Sequence, residues 1–183
     1  MTIEAGPDEL YTTLARAADV PALAQLVNGA YRGESSRRGW TTEADLVGGP
    51  RVDATAIEAL IAAPDSALLV QRAQSGLFSC AHVRKLADGG AELGLLTVRP
   101  ALQGSGIGRQ MLAAAERYAR KHFGARFLEL SVIGAREELL AWYERRGYLP
   151  TGETRPFPAA EAQLGVPLRD GLTLVVLRRP IAP

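Results

Sequence analysis

The sequence LGLLTVRPALQGSGIGRQML spans residues 93–112 and joins three local patterns. An apolar strand pattern ends at Val98, Pro100 stops it, and a glycine-rich loop leads directly into a helical pattern that starts at Ile107. Glycines let successive backbone N–H groups converge, and a helix N-terminus adds unsatisfied donors and the positive end of the helix dipole. Phosphate groups bind such concave sets of donors. The stretch therefore predicts a phosphate-binding loop between a strand and a helix.

Two common nucleotide-binding loops do not fit this stretch. A Walker P-loop ends in Gly-Lys-Ser/Thr, whereas Gly108 is followed by Arg109 and Gln110. The dinucleotide fingerprint Gly-x-Gly-x-x-Gly fails because Gly104, Gly106 and Gly108 are evenly spaced. An ordinary tight turn between strand and helix remains an alternative for this loop.

The loop resembles motif A of the GNAT superfamily of N-acetyltransferases, Gln/Arg-x-x-Gly-x-Gly/Ala, whose fixed positions Gln103, Gly106 and Gly108 match. The strand-Val-x-Pro sequence before the loop also matches. The resemblance implies acetyl-CoA as co-substrate, with its pyrophosphate on the loop amides and its pantetheine arm paired with the preceding strand like an added β-strand. The cofactor-binding residues implied in this way are Thr97, Val98, Gln103, Gly104, Ser105, Gly106, Ile107, Gly108 and Arg109.

A second stretch, LLAWYERRGY at residues 139–148, resembles motif B of the same superfamily. In that motif a helix carries the pair Tyr-Glu and closes with Gly-Phe/Tyr. The resemblance implies that Tyr143 donates a hydrogen bond and then a proton to the sulfur of CoA, which suits the weakly acidic tyrosine hydroxyl. A core tyrosine on an amphipathic helix is the alternative. Many members carry an asparagine just before this helix, where the present chain has VIGA at residues 132–135.

Acyl transfer to an amine also requires a proton acceptor, because amines are mostly protonated near neutral pH. The resemblance to the protein-lysine members of the superfamily implies Glu92, six residues before Val98 on the strand that borders the cofactor. Strand alternation predicts that Glu92 shares a face with Gly94, Leu96 and Val98, and a bulge would change this. A solvated carboxylate at Glu92, Glu129 on the next long strand, and a water chain are the alternatives.

The patterns around the two motifs predict alternating helices and strands, with an antiparallel meander formed by residues 67–72, 77–85 and 91–98. Such an order is typical of an α/β (α+β) layered domain. The resemblance makes this a central mixed, mostly antiparallel sheet flanked by helices, with a splayed pair of strands at the cofactor site. We expect one N-acetyltransferase domain over residues 1–183.

Composition argues against several other classes of function. The 183 residues carry a formal net charge of +1 with both signs mixed along the chain, which disfavours nucleic acid and anionic membranes as partners. We expect no membrane span and no secretion signal. Cys80 is the only cysteine, and His82 and His122 are predicted to be structural, so we expect no disulfide, no metal site and a cytoplasmic location.

These inferences combine into an acetyl-CoA-dependent N-acetyltransferase that moves an acetyl group to a primary amine by direct attack in a ternary complex. A protein or peptide N-acetyltransferase, a CoA-binding sensor or interaction module without chemistry, and a nucleotide-binding domain are the alternatives. The family also suggests a homodimer through the sheet edges or the final strand.

Two loop segments are predicted to form the acceptor site. One is Gly33 to Val52, and the other is Arg155 to Gly171, which contains Phe157. Their mixed charges fit a small amine or an amino-acid-like acceptor. The paired arginines at 145–146 and 178–179 are most simply exposed charges, with contact to an acidic substrate or the CoA ribose phosphate as the alternative. The candidate acceptor residues of the first segment are the apolar Trp40 and the polar or charged Arg37, Arg38, Thr41, Glu43 and Asp45.

Overall fold

The computed structural model describes residues 10–158 and 165–181. Within these ranges the helices are α1 (Val20–Tyr31), α2 (Ala54–Ala62), α3 (Ile107–Phe123) and α4 (Glu137–Glu144). The strands are β1 (Tyr11–Leu14), β2 (Val47–Gly48), β3 (Ser66–Ala73), β4 (Gly76–Lys85), β5 (Ala91–Val98), β6 (Phe127–Ile133), β7 (Leu149–Pro156), β8 (Val166–Pro167) and β9 (Thr173–Pro180). Short 3₁₀-helices lie at Ala17–Asp19, Glu34–Arg38 and Pro100–Leu102.

Local signals in the sequence set the ends of the helices. Pro21 lies in the first turn of α1, where its missing N–H costs no intrahelical hydrogen bond. At the start of α2 the side chain of Asp53 accepts a hydrogen bond from the N–H of Ala56 at 2.7 Å. Gly106 and Gly124 flank α3 with φ values of +91° and +63°, which glycine adopts without strain. The helical pattern predicted to start at Ile107 thus becomes α3, which begins at that residue.

Seven of the described strands form one sheet in the order β1-β3-β4-β5-β6-β9-β7. Every neighbouring pair is antiparallel except β5 and β6. This confirms the predicted α/β (α+β) class and the mixed, mostly antiparallel sheet flanked by helices. β2 and β8 form a separate two-stranded sheet that the sequence did not predict, because each is only two residues long.

The position of β9 bears on the suggested homodimer. β9 pairs with β6 on one side and with β7 on the other, so both of its edges are used within the sheet. The suggestion of a dimer through this final strand was therefore wrong for this sheet. The sheet edges are β1 and β7, where Tyr11, Leu14 and Leu149 are exposed, and a dimer through them stays a prediction.

An apolar cluster lies on each face of the sheet. One cluster packs beneath α1 and α2 and includes Leu23 and Ile57, and the other packs beneath α3 and α4 and includes Met111 and Leu128. Burying such a side chain contributes about 1.5–3 kcal/mol relative to leaving it exposed. Because α3 buries six residues in this way, its N-terminus is held firmly at the end of the glycine-rich loop.

A β-bulge interrupts β5. Cys80 pairs with Thr97 and His82 pairs with Gly94, so that a single residue of β4 is opposed by two residues of β5. Leu95 has a φ of +48°, which is uncommon for a residue with a side chain. Strain of this kind is found where the surrounding structure holds it, often at functional sites.

The bulge changes the face on which the side chains of β5 lie. Leu93 and Leu96 both pack in the cluster under α3, although they are three residues apart, whereas Leu95 packs in the cluster under α1. Glu92 therefore lies on the opposite face from Leu96 and Val98. The predicted shared face was therefore wrong for Leu96 and Val98, which follow the bulge, whereas Gly94 precedes it and alternates with Glu92 as predicted.

The parallel pairing of β5 with β6 is short. Only residues 91–93 pair with residues 128–130. Within the described part of the chain, residues 94–98 therefore have no strand neighbour on this side. The predicted splay of the two strands stays a prediction, and the end of the pairing is compatible with it.

Three further properties of the described residues concern membranes, metal ions and the cysteine Cys80. None of their helices has both the length and the apolar composition needed to cross a bilayer. The same residues hold no group of three or more His, Cys, Asp or Glu side chains arranged for a metal ion. Burial raises the pKa of the Cys80 thiol to about 12, which disfavours the reactive thiolate.

Candidate active site

A cavity of about 550 Å³, here called the loop cavity, lies between the end of β5, the glycine-rich loop and the start of α3. Gly104 and Gly106 line it, with φ values of +84° and +91°. A Cβ at Gly104 would meet no atom within 4 Å. Glycine is therefore favoured at this position by the left-handed backbone conformation and not by a lack of space for a side chain. The loop thereby curves around the cavity.

The N-terminus of α3 opens onto the loop cavity. No side chain of the described residues caps this helix, so the N–H groups of its first turn have no capping partner. Gly108 in this turn lies close to β5, because a Cβ there would lie 3.4 Å from Val98 Cγ2 and 3.7 Å from Trp142 Cζ2. The free donors and the positive end of the helix dipole suit an anion.

Gln103 connects the glycine-rich loop to two other segments. Its Nε2 donates a hydrogen bond to the carbonyl of Val98 at 3.3 Å, and its Oε1 accepts one from the backbone N–H of Trp40 at 3.1 Å. The side chain therefore fixes the loop to β5 and to the segment after α1. Gln103, Val98 and Trp40 all line the loop cavity.

Three arginines give the loop cavity a strong positive charge. Arg109, Arg145 and Arg146 line it beside a fourth arginine, Arg136, which is paired with Glu43, and no acidic residue of the described part of the chain belongs to the lining. The guanidinium of Arg146 lies 3.7 Å from the centre of the Trp142 ring, and its buried Nε has no hydrogen-bond partner among the described residues. Burial, and then repulsion from Arg145 and Arg109, lowers the pKa of Arg146. Because arginine stays charged in proteins, this cluster attracts an anion.

Tyr143 is buried on α4, with 6% of its surface exposed, and lines the loop cavity. Its ring makes edge contacts with Trp142 and Tyr148, with ring centres 4.9 and 5.7 Å apart. Its hydroxyl has no hydrogen-bond partner among the described residues, whereas the Tyr148 hydroxyl donates to Glu116 at 2.8 Å. Burial raises the pKa of Tyr143 above its ordinary value, so the hydroxyl keeps its proton. Tyr143 thus presents a proton donor to the cavity.

A second cavity of about 290 Å³, here called the strand cavity, lies where β5 and β6 continue beyond their last pair. It is lined by residues 92–96 of β5 and 130–133 of β6. The two cavities share one wall, and five residues belong to both: Tyr31, Leu96, Arg136, Leu139 and Tyr143. A group in the loop cavity and a group in the strand cavity would therefore meet beside Tyr143.

A buried ion-pair network supports the shared wall. The carboxylate of Glu43 accepts from Arg136 Nη1 at 2.8 Å and from Arg32 Nη2 at 3.1 Å, and all three side chains are at most 8% exposed. Arg136 Nη2 also donates to the Thr41 hydroxyl at 2.8 Å. The loop after α1 is therefore tied to the start of α4 across the site.

The two candidate proton acceptors differ in their surroundings. Glu92 lines the strand cavity, is paired with Arg84, and keeps 29% of its side chain exposed. Glu129 is 5% exposed, lies outside both linings, and is held by Arg155 at 3.1 Å and Arg178 at 2.6 Å. Glu129 is therefore part of a structural ion-pair network, and of these two candidates Glu92 is the one that lines the strand cavity.

The structure places the sequence-predicted residues as follows. Of the nine predicted cofactor-binding residues, all except Ile107 line the loop cavity. Ile107 is only 7% exposed and its side chain lies outside this lining, which leaves its backbone for a ligand. Arg145 and Arg146 line the loop cavity rather than being merely exposed charges, and Arg179 instead pairs with Glu116 at 2.7 Å.

The predicted acceptor walls are present only in part. Trp40 and Thr41 line the loop cavity, Glu43 and Phe157 line the strand cavity, and the side chains of residues 37, 38 and 45 line neither. Residues 159–164 of the second wall lie outside the described residues. Sequence reasoning also missed Tyr31 and Arg136, because neither belongs to a local motif and the partner of Arg136 is 93 positions away.

Comparison with known proteins agrees with this geometry. The sequence model of the acetyltransferase (GNAT) family matches residues 31–148, more than half of the chain. The chain belongs to the GNAT acetyltransferase family. Membership implies acyltransferase activity, and GNAT proteins use acetyl-CoA as the acyl donor. The anion-binding loop, the three arginines and the unpaired edge of β5 fit the pyrophosphate and the amide-containing arm of this cofactor.

Solved structures share the fold of this GNAT chain at low sequence identity. The structure of yncA from Salmonella typhimurium with its cofactor acetyl-CoA has a TM-score of 0.69 and 20% identity, over 96% of each chain. The ribosomal-protein-S18-alanine N-acetyltransferase of Escherichia coli has a TM-score of 0.67 and 17% identity, also over 96% of each chain. A variant of the spermidine N-acetyltransferase SpeG of Vibrio cholerae has a TM-score of 0.66 and 12% identity, over 94% of each chain. Sequence comparison with curated proteins gives no significant match.

Proposed function

We propose that this GNAT protein transfers the acetyl group of acetyl-CoA to the primary amine of a small acceptor, by direct attack within a ternary complex. The observation that carries the proposal is the meeting of the loop cavity and the strand cavity at Tyr143. One cavity has the donors and charges for the acyl donor, and the other is a separate space for an acceptor. Two substrates bound in this way need no covalent enzyme intermediate.

The loop cavity is the proposed donor site. The backbone N–H groups of residues 104–109 and the cluster of Arg109, Arg145 and Arg146 would bind the phosphates of acetyl-CoA. The backbone of Thr97 and Val98, in the segment of β5 without a β6 partner, would pair with the pantetheine arm as an added strand does. This arrangement would direct the acyl end of the cofactor toward Tyr143.

Tyr143 is the proposed proton donor. Acetyl-CoA supplies a thioester carbonyl, which the amine nitrogen attacks, so that a C–N bond forms and the C–S bond breaks. The Tyr143 hydroxyl would hydrogen-bond the sulfur and give its proton to the departing thiolate. Its raised pKa keeps the hydroxyl protonated at neutral pH, as a donor must be. A proton released from the acylated nitrogen would restore the hydroxyl through solvent.

Glu92 is the proposed proton acceptor for the ammonium form of the acceptor. Its carboxylate lines the strand cavity and accepts a hydrogen bond from Arg84 Nε at 3.1 Å. Because of the bulge at Leu95, Glu92 lies on the opposite face of β5 from Leu96, although both residues line the strand cavity. We infer that the proton reaches Glu92 directly or through a water molecule.

The size of the strand cavity favours a small acceptor. Its volume of about 290 Å³ is at the lower end of the roughly 300–1,000 Å³ found for small-molecule pockets. A folded protein surface would need an open groove instead. We further propose that residues 1–183 form one N-acetyltransferase domain, and that it works in the cytosol, as the buried free thiol of Cys80 would allow.

The first test has two stages. Acetyl-CoA should raise the thermal unfolding temperature of the purified protein, while ATP and NAD should not, since a ligand at 100 times its Kd adds about 2.7 kcal/mol to the free energy of unfolding. A panel of primary amines should then release free thiol from acetyl-CoA. Stabilisation by acetyl-CoA without thiol release from any amine would favour the CoA-binding sensor. No stabilisation by acetyl-CoA would contradict both functions.

A further inference from the structure

The charges around the strand cavity are unbalanced. Its lining contains four arginines and two glutamates, and Arg155 of this set is already paired with Glu129 outside the lining. Within this set, the buried group of Glu43 with Arg32 and Arg136 has two positive charges for one negative charge. A small cavity with this excess of positive charge attracts a ligand that carries a negative charge.

Arg51 is the arginine in this lining whose guanidinium is not engaged. It has no hydrogen bond or ion pair from its side chain to any described residue, and it lies 5.6 Å above the centre of the Tyr31 ring. The backbone N–H of Arg51 donates to Asn28 Oδ1 at 2.6 Å, so the residue is anchored while its side chain is available. The five donors of its planar guanidinium suit a carboxylate, which they can bind in a bidentate manner.

The other arginines of the lining have little capacity left for a ligand. Arg32 donates to Glu43 and to the carbonyl of Pro50 at 3.0 Å. Arg136 has both terminal nitrogens engaged, and only its buried Nε lacks a partner among the described residues. Arg155 donates to Glu153 at 2.6 Å as well as to Glu129.

The position of Arg51 defines an orientation for the acceptor. Arg51 lines the strand cavity only, whereas Tyr143 belongs to the wall shared with the loop cavity. Tyr31 belongs to the same shared wall, its ring carries the guanidinium of Arg51 at 5.6 Å from the ring centre, and its hydroxyl donates to the carbonyl of Leu96 at 3.2 Å. A short molecule with an amine at one end and an anion at the other would therefore span from Tyr143 to Arg51.

We infer that the acceptor is an amino acid or a close analogue, and that Arg51 binds its carboxylate while the amine faces Tyr143. This inference rests on the proposed acetyltransferase function and narrows its substrate class. Polyamines, whose only charges are positive, would meet the unbalanced arginines and are excluded as efficient acceptors. Arg51 is thus a specificity-determining residue rather than a participant in the chemistry.

The experiment compares each standard amino acid with its own α-amide, and adds spermidine as a cationic amine. Initial rates of thiol release are measured at saturating acetyl-CoA. The α-amide has the less basic amine, so a larger fraction of it is unprotonated near neutral pH, and a preference for the free acid therefore indicates recognition of the carboxylate. We expect at least one amino acid to exceed its amide by about ten- to a hundredfold in kcat/KM, the range expected for a hydrogen bond to a charged group.

Two substitutions of Arg51 and one control test the assignment of the residue. Arg51→Gln should raise the KM of the preferred amino acid by a similar factor and leave the KM of acetyl-CoA unchanged, and Arg51→Lys should recover part of the loss because it keeps the charge. Arg117→Gln removes an exposed arginine on α3, outside both cavities, and should change nothing. Thermal unfolding of each variant shows whether it is folded.

Each outcome decides the inference. Equal or better use of the amides or of spermidine would overturn the anionic acceptor while leaving the proposed acetyltransferase in place. A preference for amino acids that persists in Arg51→Gln would overturn the role of Arg51. Binding of acetyl-CoA without thiol release from any amine of the panel would overturn the proposed function, and the inference that rests on it.

Discussion

The backbone N–H of Trp40 donates a hydrogen bond to Oε1 of Gln103, at 3.1 Å, across 63 positions of the sequence. The same amide holds the carbonyl of Val98 through its Nε2. One side chain in the glycine-rich loop therefore joins the proposed donor strand to the segment that follows α1. All three residues line the loop cavity, so these hydrogen bonds hold the proposed donor site together.

We predict that Gln103→Ala weakens acetyl-CoA binding severalfold and lowers the free energy of unfolding by about 1–2 kcal/mol. The reason is the loss of two hydrogen bonds, each contributing about 0.5–1.5 kcal/mol. Isothermal titration calorimetry with acetyl-CoA measures the first effect and urea unfolding the second. Gln74→Ala, in the exposed turn between β3 and β4, serves as the control. Unchanged affinity in Gln103→Ala would refute the bridging role.

Gly39 should be intolerant of a side chain for the same reason. A Cβ at Gly39 would overlap the Gln103 amide, with Cδ only 2.9 Å away, although the backbone there is not of the left-handed kind. Gly39→Ala should therefore reproduce the loss of affinity seen in Gln103→Ala, and the double variant should be no worse than Gln103→Ala alone. Gly33→Ala, whose Cβ would have no neighbour nearer than 3.4 Å, is the matched control. Additive losses in the double variant would show that Gly39 acts by another route.

For Tyr143→Phe we expect kcat to fall by about 100-fold or more, since loss of a positioned proton donor typically costs this much. The fold should be retained, because the ring and its contacts with Trp142 and Tyr148 remain. Tyr148→Phe is the contrasting control, because it loses the hydrogen bond to Glu116 and with it stability, but not turnover of the folded protein. Steady-state kinetics measures the loss of turnover expected in Tyr143→Phe, and thermal unfolding measures the loss of stability expected in Tyr148→Phe. Full activity in Tyr143→Phe would remove this residue from the mechanism.

Neutralising a carboxylate should cost much more stability in the buried network at Glu43 than in the exposed ion pair at Asp45. Glu43→Gln leaves the guanidinium groups of Arg32 and Arg136 without their carboxylate, and we expect a loss of about 3–5 kcal/mol in the free energy of unfolding. Asp45→Asn breaks an exposed pair with Arg37 and should have little measurable effect. Urea unfolding of both variants tests the contrast. Similar stabilities would mean that the buried network contributes little.

His82 should make the stability of the fold depend on pH. Burial lowers its pKa to about 4, while the unfolded chain has a histidine pKa near 6.5. Between these two pKa values only the unfolded state binds the proton. The free energy of unfolding therefore has its full contribution from neutral His82 above pH 6.5, and it falls by up to about 1.4 kcal/mol per pH unit as the pH decreases toward 4.

His82→Gln should remove this part of the pH dependence, which amounts to about 1–2 kcal/mol in the free energy of unfolding between pH 7 and pH 5. Urea unfolding at several pH values gives the measurement. His122→Gln, at an exposed position in the last turn of α3, should keep the dependence of the unsubstituted protein. If the free energy of unfolding changes equally with pH in the unsubstituted protein and in both variants, the pH dependence comes from groups other than His82.

The sequence predicted those parts of the fold that depend on local patterns. The glycine-rich loop, α3 and the meander of β3, β4 and β5 follow from turn residues and apolar periodicity, which act over a few residues. The donor-site residues 97–109 were predicted from one continuous segment and largely lie around one cavity. Whether they bind the cofactor remains for the experiments above.

The parts that the sequence could not supply depend on contacts between distant residues. Glu43 and Arg136 are 93 positions apart, and nothing in either local sequence indicates the other. The bulge at Leu95 arises from the pairing of β5 with β4, and it reverses the face of Glu92 relative to a simple alternation. Arg51 was one of many mixed charges in a loop until the fold placed it at the strand cavity.

The glycine-rich loop holds its proposed ligand mainly through main-chain groups, and this sets its tolerance to mutation. Gly104 and Gly106 are constrained by their positive φ values, whereas the Ser105 side chain only donates to the carbonyl of Leu102. In a saturation mutagenesis scan, the loop should therefore show alternating intolerant and permissive positions. A site built from backbone geometry in this way leaves most of its side chains free to diverge, so proteins with very different sequences can retain the same cofactor site.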